Sequence, residues 1–265
     1  KHGVHVDLAG MLSPAAQHTY DGRPETVINE VQGDIRRHLC SNQPIPLSFI
    51  DAELPKLLQG QGIHFENIYH LSTRFGSERL AQGLANIVKH NEYDLVIGVD
   101  VGGDILGRPE DDTLLSPVMD FAFLQAARQL PVPVHLVEFG LYTDGELRPQ
   151  GGTAILDTFA QTGTLFDRST ITKDDFEVKQ FRSLFDEVRK VRAGHTAVMT
   201  LATLDALQDQ DINTPYRSSY RIGKKTWKHE FPITLPKETF GAVFHLDLKQ
   251  VAAQRPLPCR TFENP

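Results

Sequence analysis

Residues 93–104, reading Tyr-Asp-Leu-Val-Ile-Gly-Val-Asp-Val-Gly-Gly-Asp, constrain the fold of this chain more than any other stretch. Positions 95–99 form a short, unbroken apolar run with β-branched residues. Such a run predicts a strand buried on both faces, central in a parallel sheet covered by helices. On that reading a charge placed at Ile97 unfolds the protein. The run stops at Asp100, and Gly102-Gly103 supply the backbone freedom for a tight turn before Asp104. Two carboxylates flanking such a turn, at the C-terminal end of a central strand, stand where open α/β sheets bind ligands. The alternative is that Asp100 and Asp104 only hydrogen-bond their own backbone as turn residues.

Upstream, residues 4–9 alternate apolar and polar and read as a first strand, with His5 and Asp7 on one face. Pro24-Glu25 opens a helix to about Leu39, residues 46–50 read as a short strand, and 51–58 as a helix. A second good strand over 63–71 runs into Ser72-Thr73-Arg74-Phe75-Gly76-Ser77. Ser77 with Glu78 starts an amphipathic helix whose buried stripe is Leu80, Leu84, Ile87 and Val88. Downstream, Ser116-Pro117 starts a helix with Ser as N-cap and Pro in the first turn, leaving Asp120 near the helix start. Residues 132–139 are another buried strand, ending in Glu138-Phe139-Gly140, and Gly151-Gly152 precede a helix over 153–166.

The order of strand, helix, strand, helix favours a parallel sheet with crossover helices. The remainder differs. Residues 174–192 predict a long charged helix with Phe176, Phe181, Leu184, Phe185 and Val188 inside, and 196–207 a further helix. Residues 214–236, rich in Arg, Lys and aromatics, read as a loop or hairpin, and 240–248 as a last strand. The expected organisation is an α/β core over 1–166 and a helical and hairpin extension over 167–265, packed on the same core.

Net charge is −7, which argues against a general binder of nucleic acid or anionic membranes. No apolar run is long enough to span a bilayer and no signal-peptide pattern is read. Cys40 and Cys259 are far apart and form no CxxC pattern, so the reducing cytoplasm is the expected compartment. The partners expected are a small-molecule ligand and, for a homo-oligomer, further copies of the chain. The chain opens at Lys1 and runs directly into its first strand. One or more preceding elements are therefore expected to be missing, the alternative being a start methionine removed in processing.

The strongest chemical constellation is Asp100, Asp104 and Asp120, with Glu138 at the end of the neighbouring strand. Strand ends of a parallel sheet converge on one edge, so these four carboxylates are expected to meet. Several oxygens on one edge suit a hard divalent cation such as Mg²⁺, which takes carboxylates, waters and substrate phosphate. Without a cation they repel, and one holds a proton near neutral pH, which serves acid–base chemistry. Ser72, Thr73 and Arg74, just ahead of a helix N-terminus, form a candidate anion site. A capped helix with a solvated Arg74 is the alternative. Among His5, His18, His70 and His195 none has zinc spacing, and His70 stands out for closing a strand. No GxSxG, Walker A or complete GxGxxG is present. Arg217, Arg221, Lys224, Lys225 and Lys228 with Tyr216, Tyr220 and Trp227 are read as a solvated basic hairpin rather than an RNA site.

Asp100-Val101-Gly102-Gly103-Asp104, on the strand that starts at Val96, and Ser116-Pro117-Val118-Met119-Asp120 resemble the domain-of-unknown-function family eleven-fifty-two. The resemblance runs from the first strand to about Gly152. It implies a Rossmann-like, mainly parallel sheet with helices on both faces, and no established activity. Members carry an earlier Gly-rich, Asp-ended turn after a first strand. That turn is missing here, in keeping with the expected loss of N-terminal elements.

Two functions are compatible with these residues. One is an enzyme of hydrolase or lyase type acting on a phosphorylated, nucleotide-like or sugar-like metabolite. Asp100 and Asp104 then hold metal or act as base, with His70 as a further catalytic candidate. Gly102 and Gly103 let the substrate approach the backbone, and Ser72, Thr73, Arg74 and the helix start at Ser116 contact it. The other is a ligand-binding or regulatory protein without chemistry, since one fold hosts both. Carboxylates converging in one place with shifted pKa values favour the enzyme, and scattered ones the binding module.

Overall fold

The computed structural model describes residues 6–12, 58, 68–72, 76–108, 114, 117–143, 146–191, 200, 203–204, 217–222, 225–230 and 241–255. The helix expected over 24–39, the strand over 46–50 and nearly all of the helices over 51–58 and 196–207 lie outside these residues, as do His5, His18 and His195.

The first alternating stretch forms β1 (Leu8–Leu12), later than expected, and pairs in parallel with β2 (Ile68–Ser72). Helix α1 (Gly76–His90) follows, and its predicted stripe of Leu80, Leu84, Ile87 and Val88 is buried. The strand of residues 95–99 forms as β3 (Val96–Val101), extended to include Asp100. Helix α2 (Pro117–Ala127) starts at the proline, as its fixed φ favours, and buries Phe121, Ala122 and Leu124. Then come β4 (Val134–Phe139), α3 (Pro149–Gln161), β5 (Leu165–Thr170) and α4 (Phe176–Val191). The basic segment is a hairpin of β6 (Arg217–Ile222) and β7 (Lys225–Glu230). The last strand and helix are β8 (Ala242–Asp247) and α5 (Leu248–Gln254).

The architecture is α/β, and its main sheet is mixed rather than mainly parallel. Four strands lie in the order β3-β4-β8-β5; β3 and β4 are parallel, whereas β8 runs antiparallel to both β4 and β5. The expectation of a mainly parallel sheet fails because a strand from the far end of the chain takes the place beside β4. Local periodicity carries no information about which distant strand becomes the neighbour. For the same reason β3 is not central: it ends the four-stranded sheet, with β4 as its paired neighbour among the described residues.

Nor is β3 buried on both faces. Alternate residues of a strand face opposite ways, and Ile97 and Val99 are 55% and 70% exposed while Gly98 between them is buried. Helices do lie on both sides. On one, α1, α2, α3 and α5 enclose the main core, with Leu80, Leu124, Leu136, Phe159, Leu246 and Val251 in one cluster. Each such side chain contributes about 1.5–3 kcal/mol relative to exposure. On the other, Val178 and Phe181 of α4 pack with Val101, Phe139 and Val243, covering the C-terminal end of β3 and leaving its start open.

Three further expectations change. Helix α3 begins at Pro149, so Gly151-Gly152 lie inside its first turn rather than before it. Gly152 is required there, since the Tyr142 ring fills the space a Cβ would take. The helix stops at Gln161, and residues 165–170, expected to begin in helix, are strand β5. Among the described side chains of α4, Val178 and Phe185 are buried, seven residues apart on one face, Phe176 falls outside that stripe at 66% exposed, and the Val188 side chain lies outside the description. Among the described residues no helix is long and apolar enough to cross a membrane.

Candidate functional site

The Gly-Gly turn is built where β3 leaves the sheet. Gly102 and Gly103 have φ of 120° and 99°, values open to glycine and strained for other residues. A Cβ on Gly103 would also stand 2.5 Å from Leu141 Cδ1. The turn is tied to the end of β4 by two backbone bonds, Gly102 N–H to the Phe139 carbonyl at 3.1 Å and Tyr142 N–H to the Gly102 carbonyl at 2.7 Å. Residues Asp104–Leu106 then make one 3₁₀ turn, closed by Leu106 N–H to the Gly103 carbonyl and Gly107 N–H to the Asp104 carbonyl.

This geometry gathers the acids. One carboxylate oxygen from each of Asp100, Asp104 and Asp120 lies within 4.8 Å of the others. Asp100 comes from the end of β3, Asp104 from the 3₁₀ turn, and Asp120 from the first turn of α2. Glu138, fully buried on β4, is the register partner of Asp100 and so lies on the same face of the sheet beside it. Three of the four acids singled out from the sequence therefore meet at one end of the β3–β4 pair, and Glu138 stands beside Asp100 outside that group.

Burial dominates their electrostatics. It pushes the Asp100 carboxyl above the ordinary range, against the lowering effect of Glu138 and of the Ile105, Val101 and Gly103 amides. Asp120 is pushed up to about 7, first by burial and then by the charge of Asp100, while its hydrogen bond to Asp104 works the other way. Asp100 Oδ2 is buried and has no hydrogen-bond partner among the described residues. A buried oxygen in that state asks for a proton or a cation. Three oxygens at this spacing are within reach of one hard divalent ion. Alternatively, the cluster holds a proton at neutral pH.

Tyr142 joins the site without having been singled out from the sequence. It is 5% exposed at a φ of 72°, a strained conformation for a bulky residue, and its hydroxyl lies 3.3 Å from Thr153 Oγ1. Burial, with the nearby charge of Glu138, raises its pKa. Its only local signal is its place three residues past the end of β4.

The remaining candidates are not brought together with the acids by the described residues. Ser72 ends β2 and His70 lies mid-strand in β2, in the two-stranded sheet, with their backbones alone described. Thr73, Arg74 and Ser116 lie outside the described residues. Gly102 and Gly103 hold the turn as read.

A family model described as "Protein of unknown function (DUF1152)" matches residues 30–203, a span that contains all four acids and extends beyond Gly152. No curated protein and no solved structure matches the chain.

Proposed function

The chain belongs to that family of unknown function, and from this premise we propose that it is an enzyme of hydrolase or lyase type acting on a phosphorylated small metabolite. The substrate class is nucleotide-like or sugar-like. The observation that carries this reading is the convergence of Asp100, Asp104 and Asp120 on one point, with Glu138 against Asp100. Turn residues that served only their own backbones would have no reason to meet.

In this reading Asp100, Asp104 and Asp120 hold a divalent cation, Mg²⁺ being the hard ion that carboxylates and phosphate oxygens share. Bound there, it would neutralise phosphate charge and polarise the bond to be broken. The chain's own contributions are separate. Gly102 and Gly103 let the substrate approach the backbone, and Glu138, the acid outside the three ligands, stands beside Asp100 and is the one left to move the proton. The fold supports it as a Rossmann-like variant: β3 and β4 are parallel with α2 between them in sequence, and the acids sit at their C-terminal ends. A cytoplasmic setting goes with the widely separated Cys40 and Cys259.

The test is incubation of the protein with a metabolite extract, with and without Mg²⁺, followed by mass spectrometry. A phosphorylated compound consumed by the wild type and spared by Asp104→Asn supports the enzyme. A compound that is bound and recovered unchanged overturns it in favour of a binding protein.

A further inference from the structure

A side chain at the end of the last described helix reaches the turn that carries Asp104. Arg255, at the end of α5, is 7% exposed, and its Nη1 donates to the Gly107 carbonyl at 2.5 Å. The guanidinium lies over the Phe159 ring, 5.5 Å from its centroid. Gly107 in turn closes the 3₁₀ turn, its N–H donating to the Asp104 carbonyl at 2.8 Å. One residue's amide and carbonyl thus link Asp104 to a buried cationic donor from the other end of the chain.

The link has little slack. A Cβ on Gly107 would stand 2.6 Å from Leu114 Cδ2 and 2.9 Å from the Asp104 carbonyl oxygen. Burying a guanidinium carries a desolvation cost that an apolar side chain of the same volume avoids. Its presence at this point fits a requirement for the donor rather than for bulk. A planar guanidinium also keeps its donors fixed once its face rests on an aromatic ring.

We propose that Arg255 is a positioning residue for cation binding: by holding the Gly107 carbonyl it fixes the 3₁₀ turn and so sets the Asp104 carboxylate against Asp100 and Asp120. This rests on the reading of those three acids as a cation site. Arg255 acts through the Gly107 backbone, in the way that residues behind a metal's ligands orient them.

The experiment is titration of the full chain with Mn²⁺, a paramagnetic substitute for Mg²⁺ at oxygen ligands, read by electron paramagnetic resonance. Wild type, Asp104→Asn, Arg255→Lys and Arg255→Met are compared, with thermal melts alongside. Lys and Met have similar reach, and only Lys keeps a charged donor. The expected ranking is Arg255→Lys near wild type and Arg255→Met about 10–100-fold weaker in Mn²⁺ affinity. Equal affinities for the Lys and Met variants overturn the proposal, because packing alone would then account for the residue. Should Arg255→Met fail to fold, Arg255→Gln takes its place, and it too must bind more weakly than Arg255→Lys. If wild type and Asp104→Asn are alike in taking up no Mn²⁺, the cation reading itself fails and the proposal falls with it. Wild-type binding lost in Asp104→Asn but kept in Arg255→Met sinks the proposal alone.

Discussion

Asp100 and Glu138 are register partners on parallel strands, so two carboxyl groups stand side by side on one face of the sheet. Two buried acids in contact are tolerated only if a proton or a cation offsets their charge. The expected behaviour of the protein follows from which of the two is present.

With Mg²⁺ at a hundred times its dissociation constant, wild type should gain about 2.7 kcal/mol of stability, seen as a Tm higher by several degrees. Asp104→Asn keeps the shape and removes a charge, so its Tm without metal stays the same or rises while the Mg²⁺ shift disappears. Its activity on any substrate found by the extract screen should fall by about a hundredfold or more. A Mg²⁺ shift retained in Asp104→Asn would remove this residue from the site.

The pH dependence has a definite sign. Asp120 has its pKa raised from 3.8 to about 7 in the folded protein, chiefly by burial, so between those values the folded state binds more protons than the unfolded one. The contribution of Asp120 to stability without divalent cations therefore falls as pH rises from about 4 to 7 and levels off above. Urea melts at pH 5, 6 and 7.5 should show the decline, and Asp120→Asn should lessen it. A stability that climbs over this window would contradict the burial of Asp120.

Ile97→Asp, which the apolar run alone marks as disruptive, should be tolerated. The position is 55% exposed, and substitutions at such sites change stability by about 0.5 kcal/mol or less. Leu136→Asp on the adjoining strand should unfold the protein, because Leu136 is 0% exposed and faces the main core. Circular dichroism of the two variants distinguishes the faces of the sheet.

Two glycines should respond in opposite directions. Gly103→Ala sets a Cβ against Leu141 at a φ of 99°, and should lose about 1–3 kcal/mol together with Mg²⁺ binding. Gly151→Ala, in the first turn of α3 with nothing within 4 Å of the added carbon, should be neutral or gain up to about 1 kcal/mol. Denaturant midpoints and the Mg²⁺ shift report both.

The acids were legible because each is marked by its immediate neighbours. Asp100 ends an apolar run, Asp104 follows two glycines, Asp120 sits in the first turn after Ser116-Pro117, and Glu138 closes another run. That they converge follows from parallel strand ends sharing an edge, which holds for β3 and β4. The burial stripe of α1 was legible for the same reason, its spacing being local. Partner choice is not local. Nothing in residues 242–247 announces that they enter between β4 and β5, and residues 165–170, Leu-Phe-Asp-Arg-Ser-Thr, have no apolar run to mark a strand. The strained backbone at Tyr142 and the close approach of its ring to Gly152 depend on the assembled loop, so neither leaves a trace in periodicity.

The insertion of β8 between β4 and β5 also sets the order in which the molecule can be made. As the chain leaves the ribosome, β4 emerges with β3 already available, but its other neighbour arrives only when residues 242–247 are synthesised. Until then Leu136 and Glu138 lie on a strand with one edge unpaired, and β5 has no partner at all within the four-stranded sheet. Pairings between such distant segments must close a long loop before any contact repays it, which slows folding. The carboxylate cluster therefore matures last. A nascent or truncated chain ending before β8 would carry every one of the four acids and still lack the closed core that gives them their shifted protons.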